Sequence, residues 1–177
     1  MSPTGPAAHA ERKSHRERWF RAALDATAEA DLVFFDPDNG LEVGISRSAS
    51  KGPKYVFLDD LESFVTRGQS LIVDQRIGRD APARDQVRRR LANVRCRFVG
   101  VSDTFALVYR GPTLRAFIVI ANEKHAPTLR CRAELLLQGN WNEHFEMIES
   151  DQNPRPMCLE EGVKASQTFQ PGPWLNA

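Results

Sequence analysis

Asp36, Asp38 and Glu42 crowd into one short stretch, Asp31-Leu-Val-Phe-Phe-Asp36-Pro37-Asp38-Asn39-Gly40-Leu41-Glu42. Closely spaced carboxylates are hard oxygen donors, able to hold Mg²⁺ or Mn²⁺ or to accept N–H groups from a polar ligand. Asn39 adds an amide, and Gly40 lets backbone approach a ligand closely. A second group follows the run Ser70-Leu-Ile-Val, as Asp74-Gln75-Arg76. Lys51 and Lys54, and Arg76 or Arg79, are cations close enough in sequence to meet an anion at these acids, Lys54 and Arg76 being the ones assigned to the site. The candidates are therefore Asp36, Asp38 and Asp74 as catalytic groups, with Asn39, Gly40, Glu42, Lys54 and Arg76 binding substrate. The bland alternative is an ordinary strand-to-loop turn with solvated acids.

The elements that must position these residues come next. Leu32 to Phe35 is a short apolar run of β-formers bounded by turn residues, the pattern of a strand buried on both faces. Pro37 cannot donate a ladder bond and Asn39-Gly40 tolerate positive φ, so the strand stops where its acids begin. Ser70 to Asp74 repeats the design. Tyr55, Leu58, Leu61, Phe64 and Val65 recur at helical spacing between the two runs, with Gly68 as a stop, which places Asp59, Asp60 and Glu62 on the solvent side. Two strands joined by one helix are expected as parallel neighbours, carboxyl ends side by side. In open α/β sheets ligands bind at those ends.

The flanks are plainer. Residues 1–10 are Ser/Pro/Gly/Ala-rich and are expected to be disordered. A helix from about Glu11 to Glu29 packs Trp19, Phe20, Ala23 and Leu24. Residues 43–53 read as a loop. Pro82 to Val94 reads as a helix with Val87, Leu91 and Val94 inward and a basic outer face, Arg84 to Arg95, which offers phosphate contacts to a nucleic acid; a solvated face is the rival reading. Few aromatics stand among those arginines, so no base-stacking platform is expected there. Two strands, Thr104 to Arg110 and Arg115 to Ala121, are joined by Gly111-Pro112-Thr113 as a hairpin. Ala126 to Gln138 reads as a last helix, residues 144–148 as an edge strand, and 150–177 as a Pro-rich flexible tail.

A chain of 177 residues with net charge +1 and pI near 7.8 is one domain by size, neither a general polyanion binder nor an acidic protein. Its three cysteines lack CxxC spacing or a Cys/His cluster, so no zinc site is indicated, and Cys96 and Cys131 fall in apolar contexts that read as core. No segment has membrane-spanning length, and Met1 to Ala10 lacks the apolar middle of a signal peptide. The expectation is a cytoplasmic protein without a membrane partner.

The order strand, acidic turn, helix, strand, helix, strand and hairpin resembles the second half of the Rossmann-like fold of S-adenosylmethionine-dependent methyltransferases. In nucleic-acid amino-methyltransferases a core strand ends in Asp/Asn-Pro-Pro-aromatic, whose polar side chain holds the amino group of a flipped base while the aromatic stacks on it. Asp36-Pro37-Asp38-Asn39 keeps the first two positions and not the last two. The chain also resembles a family of uncharacterised bacterial proteins with a Trp-Phe helix, a strand ending Asp-Pro-Asp-Asn-Gly-Leu-Glu, a Lys-Tyr pair and a strand ending Tyr-Gln/His-His. Trp19-Phe20, Asp36 to Glu42, Lys54-Tyr55 and Ser70 to Arg76 match in order, with Asp74 and Arg76 standing at the usual Tyr and His. Members of that family look longer at the N-terminus.

Fold expectation and function follow from both lines. The fold is an α/β, Rossmann-like three-layer sandwich over residues 11–149, its sheet mostly parallel with an antiparallel hairpin at one edge. The resemblance implies a methyltransferase-like domain, truncated or degenerate, because no GxG occurs for S-adenosylmethionine. The residues themselves also allow a Mg²⁺- or Mn²⁺-dependent hydrolase or nuclease using the strand-end carboxylates, or a non-catalytic accessory domain.

Overall fold

The computed structural model describes residues 6–42 and 44–149. The expected tail, 150–177, and residues 1–5 lie outside them. Within the described residues the fold is mixed α/β: four helices and a five-stranded sheet, with a two-stranded satellite.

Helix α1, Pro6–Ala26, begins ahead of the Glu11 boundary that composition implies. It is polar almost all round and packs through Phe20 and Leu24, Phe20 meeting Phe64 edge to face at 5.8 Å. Strand β1, Leu32–Phe35, leads into the short β2, Gly40–Leu41. A 3-10 turn, Gly52–Lys54, then opens β3, Tyr55–Val56, which pairs parallel with β2. Tyr55 therefore belongs to a strand, and the helix expected to include it, α2, runs Leu58–Thr66. Strand β4, Ser70–Arg76, is followed by helix α3, Ala83–Arg97. The hairpin β5, Asp103–Arg110, and β6, Leu114–Ala121, precedes helix α4, Ala126–Gln138, and the last strand β7, Phe145–Glu149.

The main sheet runs β1-β4-β6-β5-β7. β1 and β4 are parallel neighbours, as the crossover through α2 requires. The remaining three pairings, β4 with β6, β6 with β5 and β5 with β7, are antiparallel. The sheet is thus mostly antiparallel where a mostly parallel one is expected. The hairpin is not an edge appendage either: its second strand, β6, inserts between β4 and β5. The reason is in β6 itself, where Ala116, Ile118, Val119, Ile120 and Ala121 are all buried. A strand apolar on both faces belongs in the middle of a covered sheet.

Side chains alternate across the sheet, so register fixes the two faces. Val33, Leu71, Val73, Ala106, Val108, Ala116, Ile118 and Ile120 line the first face under α1, α2 and α3. Phe105, Ile72, Leu107, Val119, Ala121 and Met147 line the second, against Ala126, Leu129 and Ala133 of α4. Coverage of this second face is partial. Leu32 and Phe34 of β1 point there and are 42% and 55% exposed, so β1 is not buried on both faces. Cys131 is exposed on α4 and Cys96 half-buried on α3, neither a core residue. Asp60 departs in the other direction: it is buried, carrying Arg16 on Oδ2 and Arg47 at 3.2 Å on Oδ1, while Glu62 pairs with Arg97.

Candidate functional site

The parallel pair β1–β4 sets Phe34 opposite Ile72 and Phe35 opposite Val73, so the next residues, Asp36 and Asp74, fall side by side at the strands' carboxyl ends. Both lie on the second, partly open face. Asp74 is 5% exposed, and its Oδ2 accepts Nη1 of Arg115 from β6. Its other oxygen, Oδ1, is buried with no hydrogen-bond partner. The exposed Asp36 carboxyl lies near enough for its charge to act on Asp74. Burial pushes the Asp74 carboxyl above its ordinary value, and it prevails over the opposing pull of Arg115, with the Asp36 charge adding to the rise. The pair therefore demands something with positive character: a shared proton, a donor nitrogen or a hard cation.

Arg76 continues the same face. Its register partner on β6 is Arg115, so two guanidinium groups stand across from one another and Asp74 neutralises only one. Arg76 is exposed and forms no ion pair among the described residues. Arg115 is a site residue that sequence spacing misses, because only the insertion of β6 beside β4 brings it there.

The rest of the acidic turn is built for structure. Gln75 points to the opposite face from Asp74, and its amide clamps the turn: Oε1 accepts Leu41 N at 2.9 Å and Nε2 donates to Asn39 O at 3.1 Å. Gly40, at φ +99°, leaves room for that amide, since a Cβ there would lie 2.5 Å from Gln75 Cδ. Asn39 N donates to Lys54 O at 3.0 Å and Glu42 N to Val56 O at 3.0 Å. Glu42 caps α2, both carboxylate oxygens receiving Leu58 N at 3.0 Å. Burial raises its carboxyl above the usual range despite that bond. Asp38 pairs with Lys54 at 3.1 Å, both side chains more than half exposed. The sequence-derived set thus splits. Asp36, Asp74 and Arg76 converge on one face; Asn39, Gly40 and Glu42 hold the turn; Asp38 and Lys54 form a solvated pair beside it.

The split tests the two implied groups. S-adenosylmethionine binding calls for a Gly-rich loop, and the turn's backbone donors at Asn39, Leu41 and Glu42 are already bonded within the fold. The residues present do not fit that cofactor. No cluster of three or more His, Cys, Asp or Glu forms a cation cage among the described residues. Mg²⁺, however, is commonly held by one or two carboxylates with water and substrate oxygens completing its shell. Asp36 and the orphaned Oδ1 of Asp74 fit that role.

A second constellation joins Ser70, His125 and Asp31. Ser70 Oγ lies 2.9 Å from His125 Nδ1, and His125 Nε2 lies 3.3 Å from Asp31 Oδ1. Residue types suit a nucleophile and its base, but Ser70 is fully buried and its Oγ also accepts Asn122 N at 3.0 Å. No substrate reaches it. The trio fastens the start of β4 to the turn ahead of α4.

No family model, curated protein or solved structure matches the chain.

Proposed function

We propose that the chain is a cytoplasmic, Mg²⁺- or Mn²⁺-dependent hydrolase of phosphate esters, with Asp36 and Asp74 as the cation's protein ligands. The buried, unpartnered Oδ1 of Asp74 beside a second carboxylate carries this reading. When bound, the ion supplies Lewis-acid polarisation of a phosphoryl oxygen and a water of lowered pKa. Arg115 fixes the Asp74 carboxylate by holding Oδ2, which leaves Oδ1 as the oxygen without a hydrogen-bond partner. Arg76 stands ready for a phosphate oxygen, and Gln75 keeps the strand-end turn in place from the other side of the sheet.

The alternative is a degenerate methyltransferase-like domain of Rossmann-like ancestry. It is favoured by strand direction: β1, β4 and β5 run one way, with β6 and β7 reversed. There the acid pair would accept a substrate amino group. A thermal-shift panel with Mg²⁺, Mn²⁺, S-adenosylmethionine and S-adenosylhomocysteine, on wild type and Asp36→Ala, separates the two. A ligand at 100 times its Kd adds about 2.7 kcal/mol, a rise of several degrees. A shift with metal alone, lost in the variant, is the expected result. A shift with the methyl donor or its product, lost in the variant, favours the alternative. No shift with any of the four rejects both in favour of an accessory domain.

A further inference from the structure

The open part of the second sheet face is aromatic. Phe34 on β1 lies 6.4 Å from Phe117 on β6, and Phe117 lies 6.4 Å from Phe145 on β7. Tyr109 adjoins Phe145 at 5.2 Å, and Trp141, in the turn before β7, adjoins it at 6.4 Å. The rings form a continuous layer from one edge of the sheet to the other. Its two ends, Phe34 and Trp141, are 55% and 54% exposed. Helix α4 covers Phe105, Val119 and Ala121, and among the described residues no helix packs over Phe34 and Phe117.

Charge decides what such a layer fits. Phe117 is the cross-strand neighbour of Asp74, and Arg76 and Arg115 occupy the next register pair on the same face. Arg76 thus offers an unspent guanidinium beside the row of rings. A hydrocarbon partner leaves that charge unanswered, and a duplex presents no ring faces to stack. A strand with exposed bases and regularly spaced phosphates answers both features.

We propose that this open sheet face binds single-stranded nucleic acid, with bases stacked on Phe34, Phe117 and Trp141 and a phosphate on Arg76. The proposal rests on the hydrolase reading and names its substrate class, since the acid pair lies on the same face beside Arg76. It also moves the nucleic-acid contact away from α3. That helix packs on the opposite face, and its Arg84 is engaged by Glu146.

Fluorescence anisotropy with labelled oligo-dT, oligo-U and a duplex, in EDTA and over a salt series, tests the proposal on the full chain. Single strands are expected to bind more tightly than duplex. Phe34→Ala and Trp141→Ala, at exposed positions, should each weaken binding about 5- to 100-fold, the effect of one lost base–aromatic stack. Arg76→Ala should lower the slope of log affinity against log salt by about 0.7, one single-strand phosphate contact. The absence of single-strand binding at low salt overturns the proposal, as does equal affinity for duplex. Loss on Arg88→Ala or Arg89→Ala but not on Phe34→Ala also overturns it, placing the contact on α3. Binding in EDTA without any metal-dependent thermal shift keeps this proposal and removes the hydrolase reading; the reverse result removes this proposal alone.

Discussion

The side-chain oxygen of Gln75 accepts the backbone N–H of Leu41 at 2.9 Å, as a strand's carbonyl would. The same amide donates to Asn39 O and to Arg76 O, at 3.1 and 2.8 Å. One buried side chain therefore ties the end of β4 to the turn that follows β1, and so holds Asp36 against Asp74. Gln75→Leu orphans Leu41 N and Asn39 O, and each unmet buried group costs about 1–3 kcal/mol. Urea titration should show a loss of that size. Any metal-induced stabilisation should fall with it, because the acid pair is no longer held together.

Gly40→Ala is expected to be worse than an ordinary glycine replacement. The backbone at φ +99° disfavours any L side chain, and the new Cβ would meet Gln75 Cδ at 2.5 Å. Where native φ is incompatible, the loss exceeds the roughly 1 kcal/mol that a compatible Gly-to-Ala change gains. Gln75→Ala should relieve the contact but not the strained φ. A double-mutant cycle by denaturant unfolding measures the coupling between the two.

Glu42 gives a pH signature. Its folded-state pKa is raised above 4.5, first by burial and then by the charges of Asp59 and Asp60, so the folded chain binds the proton more tightly than the unfolded one. Stability then falls as pH rises from about 4.5 through the folded pKa and levels off above it. Glu42→Gln keeps an acceptor for Leu58 N and removes the titration. The variant should gain on wild type as pH rises through that window, in parallel thermal melts. Glu42→Ala should cost about 1 kcal/mol by uncapping α2, and it too should gain on wild type as pH rises through that window.

Arg115→Met leaves Asp74 buried beside Asp36 without its cation. Loss of one partner of a buried pair costs about 3–5 kcal/mol, less where, as here, the arginine is partly exposed to water. The penalty should shrink on acidification as Asp74 protonates, and Asp74→Asn in the same chain should recover much of it. Thermal melts at acid and neutral pH on the single and double variants check both.

Ser70→Ala should destabilise by about 1–3 kcal/mol, since Asn122 N loses its buried acceptor. A serine-reactive phosphonate should leave wild type unlabelled. Asp31→Ala, at the exposed end of the trio, should change the melting temperature little.

How much of this was legible follows from which interactions are local. Whereas β4 continues past Asp74 to Arg76 because β6 supplies a partner ladder there, the end of β1 before Asp36, the parallel pairing of β1 with β4 and the helix α2 between them rest on apolar runs and turn residues, which sequence carries directly. Arg115 does not, because its contact depends on β6 lying next to β4. Nor does the structural use of Glu42 and Gly40, which depends on two residues, Leu58 and Gln75, distant in sequence. Leu32 and Phe34 mislead for a related reason: an apolar run implies two covered faces, while α4 packs on Phe105, Val119 and Ala121 instead. Helical spacing places Asp60 on the solvent side, yet Arg16 and Arg47 arrive from α1 and the loop before the 3-10 turn.

The insertion of β6 has a consequence for the order of assembly. Strand β4 pairs with β1 through a crossover of modest length, but its other edge waits for residues well downstream, Leu71 for Ile120 and Arg76 for Arg115. During synthesis the ribosome releases β1, α2 and β4 first, and that fragment displays an apolar strand with one ladder unmet until the β5–β6 hairpin arrives to close it.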